Sequence, residues 1–194
     1  MSETEPATAD RLKQAAYELF FERSFADVTV AEIADRAGVS RRTFFRHFDT
    51  KEDVVFTASA EVSVEIMNAV RFATDGMQPI EYARAASNHL AKIFQDTREF
   101  HRQRHVMIAG SSVLRERQLL LEMEWSKVAA RTMVERGIPR VDAQLAASIG
   151  LTAFQYAYEE WLTDHEPTTL LQRNVDALEN IARMVSGVAV YTTA

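Results

Sequence analysis

Helical spacing of apolar residues recurs along the whole chain, and it constrains the fold more than any other feature of the sequence. The segment near the N-terminus shows the i, i+3, i+4, i+7, i+8 pattern of a one-sided helix at Leu12, Ala15, Ala16, Leu19 and Phe20. Only six glycines and four prolines interrupt the 194 residues, and no stretch alternates apolar and polar residues for long, as a strand would. The sequence therefore predicts an all-α protein of about nine helices with short connections.

Composition limits the class of protein and the chemistry that its side chains can supply. Apolar residues make up 47% of the chain and charged residues 26%, as in ordinary globular proteins. The absence of cysteine excludes a disulfide framework, a thiolate metal site and a thiol nucleophile. No apolar run approaches the roughly 18 residues that span a bilayer, and the segment Met1–Asp10 is acidic and polar, unlike a secretory signal. We therefore expect a cytoplasmic protein.

Charge is distributed unevenly along the chain. The net charge is −6, but the segment from Arg36 to Lys51 holds five basic residues against the single acidic residue Asp49, a local charge of +4 that leaves −10 for the remainder. Such a basic pole can attract phosphates while the acidic remainder keeps the body of the protein away from DNA. Chance clustering of solvated charges is the alternative explanation.

The segment from Thr29 to Phe48 has the architecture of a helix-turn-helix. A capping box at Thr29 (Thr-Val-Ala-Glu) begins a second predicted helix, and Ala34 is small enough for a third helix to cross it closely. Gly38 lies where the chain needs a left-handed conformation, which a residue without Cβ adopts freely. Phe44 and Phe48 share one side of the third helix at about 100° per residue, so we expect both to face a small core.

The outer side of the third predicted helix is basic. It centres on Arg46 and is completed by Arg41, Arg42, Thr43 and Phe45. Arginine pairs in bidentate fashion with guanine N7 and O6, and threonine or phenylalanine packs on a thymine methyl group. Lys51 and the amides at the start of the next helix are candidates to hold phosphates. The alternative is an ordinary helical hairpin with a charged, solvated face.

The stretch from Ala15 to Val55, AAYELFFERSFADVTVAEIADRAGVSRRTFFRHFDTKEDVV, is much longer than a generic helix-turn-helix match. It strongly resembles the signature of the tetracycline-repressor (TetR/AcrR) family. The shared features are the Ala…Leu-Phe of the first helix, Thr-Val-x-x-Ile-Ala, Ala-Gly-Val-Ser, and a Thr-(Leu/Phe)-Tyr-x-His-Phe-x-x-Lys-Glu ending. The resemblance covers roughly the first quarter of the chain. It implies a homodimeric DNA-binding regulator with a recognition helix at Arg41–His47 and a C-terminal ligand-sensing domain.

The resemblance also assigns DNA contacts, position by position. They fall on Thr29, Arg41, Arg42, Thr43, Phe45, Arg46, His47 and Lys51. Ser40, which is placed to cap the recognition helix, belongs to the same predicted set. Phe45 departs from the family pattern, because the family usually has a tyrosine there. Its phosphate-binding hydroxyl is absent, so we expect an apolar contact from this residue.

The resemblance further implies a division of the chain into two domains. Residues 1–52 are predicted to form the helix-turn-helix DNA-binding domain, and residues 53–194 a helical ligand-binding and dimerisation domain. The last two long helices, Val141–Asp164 and Thr169–Ser186, are expected to form a four-helix interface with a second copy. The two copies would then read a palindromic operator. The alternative is that both helices belong to the core of a monomer.

An effector pocket is expected in the larger domain. Its predicted lining combines methionine and aromatic residues with a few polar residues: Met67, Asn88, His89, Phe94, Phe100, Gln103, Met107, Met123 and Trp125. Such apolar residues also form plain cores, whereas Asn88 and His89 in mid-helix need partners if they are buried. A small hydrophobic or acyl-type effector is our leading expectation. Arg98, Arg102 and Arg104 would meet its phosphates or form a solvated basic face.

Two rival interpretations stay open: an enzyme, and a helical interaction protein whose helix-turn-helix is vestigial. His101 and His105 have the i, i+4 spacing of metal ligands, but the glutamate of a zinc-protease motif is missing and arginines surround them. A second group (Glu159, Glu160, Asp164 and His165) suggests acid–base chemistry or a solvated helix end. We expect no metal, no cofactor and no enzymatic activity. The favoured function is a dimeric repressor that a hydrophobic ligand releases from its operator; a ligand-activated activator and, less favoured, a helical enzyme are the alternatives.

Overall fold

The computed structural model describes residues 7–164 and 166–186, and in these residues the regular structure is entirely helical. Ten α-helices follow one another: α1 Thr8–Glu22, α2 Val30–Arg36, α3 Arg41–His47, α4 Lys51–Val55, α5 Ser59–Arg71, α6 Pro79–Phe94, α7 Arg98–Ala109, α8 Ser112–Glu135, α9 Arg140–Thr163 and α10 Leu170–Ser186. Short 3-10 turns lie at Phe25–Asp27 and Gln95–Thr97. The predicted all-α class is confirmed. None of the described helices combines the length and apolar character needed to cross a membrane.

The helix predicted to follow the recognition helix is divided into α4 and α5 in the structure. The described residues therefore form ten helices instead of the expected nine. A capping box between Thr50 and Asp53 begins α4. The hydroxyl of Thr57 then donates to the carbonyl of Val54 at 2.5 Å, in competition with the helical amide that this carbonyl would otherwise accept. The Phe56 amide bonds to the carbonyl of Asp53 instead of continuing the i, i+4 ladder, so α4 ends after five residues and α5 begins at Ser59.

The chain divides into two compact units, which we call the N-terminal unit and the larger unit. The N-terminal unit comprises the residues up to Ser59 together with Gln103–Gln118, which form a hairpin from the end of α7 and the start of α8. Its core side chains are completely buried: Leu12, Ala16, Ile33, Ala34, Phe44, Val54 and Leu114. The unit thus extends beyond residue 52, where the sequence suggested a boundary, and includes a segment about fifty residues further on.

The larger unit comprises Ala60–Arg102 and the described residues from Leu119 to Ser186. Helices α6, α9 and α10 pack against one another at its centre. The buried side of α9 consists mainly of small residues: Ala143, Ala146, Ala147, Gly150, Ala153 and Ala157. A Cβ at Gly150 would lie 2.9 Å from the Cβ of Ala83 on α6, so α6 and α9 approach closely because this position has no side chain.

Candidate nucleic-acid interface and effector cavity

The start of α2 is fixed by a reciprocal capping box. The amide of Glu32 donates to the Thr29 hydroxyl at 3.3 Å, and the amide of Thr29 donates to the Glu32 carboxylate at 2.8 Å. The Thr29 hydroxyl also donates to that carboxylate at 2.8 Å. These hydrogen bonds from Thr29, with a further one from Arg23, lower the pKa of Glu32 to about 2. Local sequence alone therefore sets where α2 begins.

The turn between α2 and α3 depends on Gly38, whose φ of +67° lies in the left-handed region. The amide of Gly38 donates to the carbonyl of Asp35 at 3.1 Å, and that of Val39 donates to Ala34 at 2.9 Å. This pair of bonds is the Schellman arrangement that ends a helix and reverses the chain. Ser40 then caps α3 by accepting from the Thr43 amide at 3.1 Å. The helix-turn-helix predicted from the sequence is present.

Helix α3 presents one side to the core and the other to solvent. Phe44 is completely buried and Phe48 nearly so. The side chains predicted to face DNA are exposed: Arg41, Arg42, Phe45, Arg46 and His47, with Thr43 half-buried. Within the described part of the chain, no ion pair or side-chain hydrogen bond engages Arg41, Arg42 or Arg46. Three guanidinium groups are therefore available on one solvent-facing surface, which we call the arginine face.

Three hydroxyl groups of the predicted DNA-binding set already have partners within the domain. The Thr29 hydroxyl is bonded to Glu32, and the hydroxyls of Ser40 and Thr43 lie 2.9 Å apart. Both arrangements are helix caps. DNA contacts from these residues stay predictions, and any such contact has to coexist with the cap.

Lys51 is engaged inside the domain. Its ammonium group donates to the backbone carbonyls of Phe25, Val28 and Ala26 at 2.7, 2.8 and 3.4 Å, and it lies 4.4 Å from the centre of the Phe25 ring. An ammonium group has three N–H donors, so these three carbonyls use all of them. Lys51 therefore ties the start of α4 to the turn that precedes α2.

Arg36 is also neutralised locally. Its guanidinium meets the Glu22 carboxylate with two hydrogen bonds, at 3.1 and 3.2 Å, and Glu18 at 3.4 Å. The hydrogen bond from Arg36 is the main reason that the pKa of Glu22 lies below its ordinary value. In the folded domain, the unpaired arginines and lysines of the basic segment Arg36–Lys51 are therefore the three of the arginine face.

The hairpin Gln103–Gln118 contacts α4 through residues that the sequence analysis did not single out together. Arg117 forms an ion pair with Asp53, and the guanidinium groups of Arg104 and Arg117 lie 5.2 and 5.3 Å from the ring centre of Phe56. Burial opposes ionisation of Asp53, but the hydrogen bonds from Arg117 and Thr50 outweigh it and hold the pKa of Asp53 below its usual value. An ion pair and two cation–π contacts thus connect the hairpin to α4 and to Phe56, which follows it.

The larger unit contains a cavity of about 30 Å³ between α5, α6, α8 and α9. Its lining is mostly small or apolar: Ile66, Ala83, Ala86, Ser87, Leu90, Trp125, Ser126, Ala129, Ala147, Gly150, Leu151 and Phe154. Trp125 belongs to both this lining and the predicted effector set. Met123 lines a separate groove of about 990 Å³ between α8 and α9.

The other predicted effector residues have different surroundings. Asn88 accepts a hydrogen bond from Asn174 at 2.8 Å, and His89 lies 2.6 Å from the Glu65 carboxylate. Phe94 stacks on His101 with ring centres 4.4 Å apart. The remaining four are distributed over both units: Met67 on α5, Phe100 exposed on α7, and Gln103 and Met107 in the hairpin. The structure does not gather the predicted set around one cavity.

The residues of the rival interpretations also have structural surroundings. The Nδ1 atom of His101 lies 2.9 Å from the Tyr158 hydroxyl, and no group of three metal-ligating side chains occurs in residues 7–164 and 166–186. Asp164 accepts a hydrogen bond from Arg173 at 2.6 Å. His165 lies outside the described residues. His101 and Asp164 therefore each have a structural partner within the described residues.

A family model for the bacterial regulatory proteins of the tetR family matches residues 12–58, which include α1 to α4. The chain is 35% identical over 74 residues to the HTH-type transcriptional regulator TcmR of Streptomyces glaucescens. This alignment covers 38% of the chain and 33% of TcmR, so the chain spans about a third of that relative's length. A longer match is to MftR of Mycobacterium tuberculosis, named as a mycofactocin biosynthesis transcriptional regulator, at 25% identity over 164 residues and 81% of each chain.

The fold of the whole chain is also similar to solved structures. Thermus thermophilus FadR, a TetR-family transcriptional repressor crystallised with lauroyl-CoA, superposes with a TM-score of 0.61 at 22% identity. The match covers 96% of this chain and 98% of FadR. At this identity the likeness establishes the fold. The named relatives are regulators of transcription, and the structural relative is a repressor.

Proposed function

We propose that the protein is a dimeric transcriptional repressor, because its residues 12–58 match the family model for the bacterial regulatory proteins of the tetR family. It binds a palindromic operator in the cytoplasm and leaves the operator when a hydrophobic small molecule binds the larger unit. The arginine face carries this proposal, because three unpaired guanidinium groups on one side of a capped helix are suited to a major groove.

We assign base reading to the centre of the arginine face. Arg46 is exposed and unpaired in the described residues, and an arginine in the groove pairs with guanine N7 and O6. Phe45, which is 48% exposed, supplies a ring for a thymine methyl group. Arg41 and Arg42 flank these two and contact phosphates, which fixes the register of the helix on the duplex.

Dimerisation follows from exposed apolar residues on α9 and α10. Val141, Leu145 and Tyr156 on α9 are 59–65% exposed and share one side of the helix, since their spacings are four and eleven residues. Met184 and Val185 are similarly exposed near the end of α10. A second copy covers this surface, and the two recognition helices then meet half-sites about 34–36 Å apart. A symmetric dimer explains why the operator is a palindrome.

Regulation requires that an effector in the larger unit change DNA affinity. The cavity is mainly apolar, and the structural relative FadR binds lauroyl-CoA, which supports a hydrophobic effector. Helix α8 contributes Trp125 to the cavity wall and Arg117 to the ion pair with Asp53. We propose that the effector shifts α8 and thereby biases the N-terminal helices toward a form with lower operator affinity.

The experiment that tests the proposed function is a selection of genomic DNA with the purified full chain, followed by titration on the recovered site. We expect a palindrome that binds two copies, with affinity that falls steeply as salt rises. Recovery of no preferred sequence, before and after denaturation and refolding to remove any bound molecule, would reject the proposal. Tighter operator binding in the presence of an effector would reverse the sign of regulation and make the protein an effector-dependent binder.

A further inference from the structure

The lining of the cavity restricts the chemistry of what can enter it. None of its twelve lining residues carries a charged side chain, and its polar groups are the hydroxyls of Ser87 and Ser126 and the indole N–H of Trp125. A carboxylate or phosphate brought into such surroundings loses its hydration and gains no opposite charge, which is strongly unfavourable. The lining therefore suits an uncharged group.

One residue that lines the cavity has a buried polar group without a partner in the part of the chain that the structure describes. Trp125 is only 8% exposed, and its indole nitrogen has no hydrogen-bond partner in the described residues. Buried N–H groups are nearly always paired in folded proteins, so this donor marks a place where an acceptor belongs. The Ser87 hydroxyl, in contrast, is already paired, because it donates to the Arg84 carbonyl at 3.3 Å and accepts from Asn174 at 2.9 Å.

The arginines that the sequence offered as ligands for an anionic effector have other partners. Arg98 donates to the backbone carbonyl of Asp164 and lies 5.6 Å from the Trp161 ring centre. Arg102 pairs with Glu99 at 2.8 Å. Arg104 belongs to the N-terminal unit, where it contacts Phe56. An anion at the cavity would therefore have to break existing contacts to recruit any of these three.

The size of the cavity and its neighbourhood set limits on the shape of a ligand. About 30 Å³ holds roughly one water molecule, so a ligand has to widen the cavity, and a compact ligand widens it least. Ser126 and Leu151 line both the cavity and the open groove between α8 and α9. The cavity and the groove are therefore adjacent.

From these observations we propose that the effector is a compact, uncharged, mainly apolar molecule with one hydrogen-bond acceptor, and that this acceptor binds the indole N–H of Trp125. A ketone, ester or ether oxygen has the required chemistry. The regulatory role of this ligand rests on the proposed function. Its chemistry, in contrast, is inferred from the lining of the cavity alone. A charged amphiphile that reaches from the cavity into the groove is the rival.

The test uses three probes of nearly equal shape: acetophenone, which carries an acceptor; cumene, which has none; and benzoate, which is charged. Binding to the full chain is followed by the indole N–H signals in nitrogen–proton NMR spectra, of which the two tryptophans give two. We expect acetophenone to bind about tenfold more tightly than cumene, the effect of one neutral hydrogen bond. Acetophenone should move the Trp125 signal downfield, and benzoate should not bind at this site.

A variant pair assigns the effect to Trp125. Trp125→Phe removes the donor and keeps an aromatic ring, so acetophenone should lose its advantage and bind as weakly as cumene. Trp161→Phe is the matched control, because Trp161 is also buried, 3% exposed against 8% for Trp125, but does not line the cavity; it should preserve the tenfold preference. If Trp125→Phe fails to fold, the three probes on the unmodified chain still decide the question.

Several results would overturn the inference. They are equal affinities for acetophenone and cumene, no saturable acetophenone binding up to its solubility limit, and a preference for benzoate. If lauroyl-CoA displaces acetophenone, and if the affinity of lauroyl-CoA falls as salt rises, the ligand is a charged amphiphile instead. Operator selection, measured without probes, is independent of these outcomes, so its failure would reject the regulatory function and leave the cavity chemistry standing.

Discussion

The ammonium nitrogen of Lys51 lies 2.8 Å from the carbonyl oxygen of Val28, the residue that precedes the N-cap of α2. Together with its bonds to Phe25 and Ala26, this contact makes Lys51 a brace between α4 and the start of the helix-turn-helix. The same residue was predicted from the sequence to contact a phosphate. A bracing role would use the three N–H donors inside the domain and would affect stability. A phosphate contact would use them on DNA and would affect the salt dependence of operator binding.

We predict that Lys51→Met lowers the free energy of unfolding by about 1–3 kcal/mol, because it removes charge-assisted hydrogen bonds to buried carbonyls. The slope of log Kd for operator DNA against log salt should not change. Chemical denaturation and salt titrations measure the two quantities. Arg42→Ala, in contrast, should leave stability unchanged and reduce the slope by about 0.9 per protomer. A reduced slope for Lys51→Met would show that the lysine reaches a phosphate.

Replacement of Arg46 by alanine should weaken operator binding by about 1–3 kcal/mol per half-site and relax the base preference at one position. The physical reason is the loss of a bidentate contact to guanine. Competition binding against a set of single-base operator variants measures both effects. Arg84→Ala on α6, where the side chain is also exposed, is the control and should change neither. A uniform loss across all sequences would assign Arg46 to a phosphate instead.

The capping box of α2 predicts an acid-sensitive contribution to stability from Glu32. The pKa of Glu32 is lowered from 4.5 to about 2, so its stabilising effect is present above pH 4.5 and is lost as the pH falls from 4.5 toward 2. The difference in unfolding free energy between the unmodified chain and Glu32→Gln should therefore be constant near neutral pH and shrink below pH 4.5. A difference that stays constant down to pH 2 would contradict this prediction.

The close approach of α6 and α9 makes Gly150 sensitive to a single added methyl group. Gly150→Ala places a Cβ 2.9 Å from the Cβ of Ala83 and 3.3 Å from its carbonyl oxygen, and we expect a loss of about 1–3 kcal/mol from overpacking. Gly110→Ala is the matched control, since its nearest atoms lie at an ordinary 3.5 Å; it should be neutral or slightly stabilising. Thermal unfolding of both variants measures the contrast.

An exposed leucine on α9 tests the dimer surface. Leu145→Arg should convert the protein to a monomer in sedimentation experiments at micromolar concentration, because it puts a charge into an apolar interface. Leu119→Arg alters a leucine on α8 that is as exposed, 60% against 59%, and should leave the dimer intact. Dissociation by Leu119→Arg alone would move the interface from α9 to α8.

The features that follow from neighbouring residues were predictable from the sequence. The capping box at Thr29 and the left-handed turn at Gly38 involve residues within about six positions of one another, and each has a recognisable residue type. The partners of Lys51 lie 23 to 26 residues away, and the partner of Asp53 lies 64 residues away. No local pattern indicates such contacts, so the hairpin could not be assigned to the N-terminal unit.

The predicted effector residues show a different limit of sequence reasoning. Large side chains such as Phe94 suggested a pocket, but large side chains fill space, and Phe94 packs on His101, Phe154 and Tyr158. Small residues such as Ala86, Ala129 and Ala147 line the cavity instead. Only the packing of four helices shows which alanines adjoin a cavity and which are simply buried.

The small number of unpaired cations on α3 has a consequence for the physiology of the regulator. With Arg36 and Lys51 engaged internally, a dimer offers four arginines to phosphates, Arg41 and Arg42 of each protomer, and it would displace roughly 3.6 condensed counterions on binding. A twofold rise in intracellular salt would then weaken operator binding about 12-fold. Salt concentration would thus act on the proposed repressor as a second input that needs no effector.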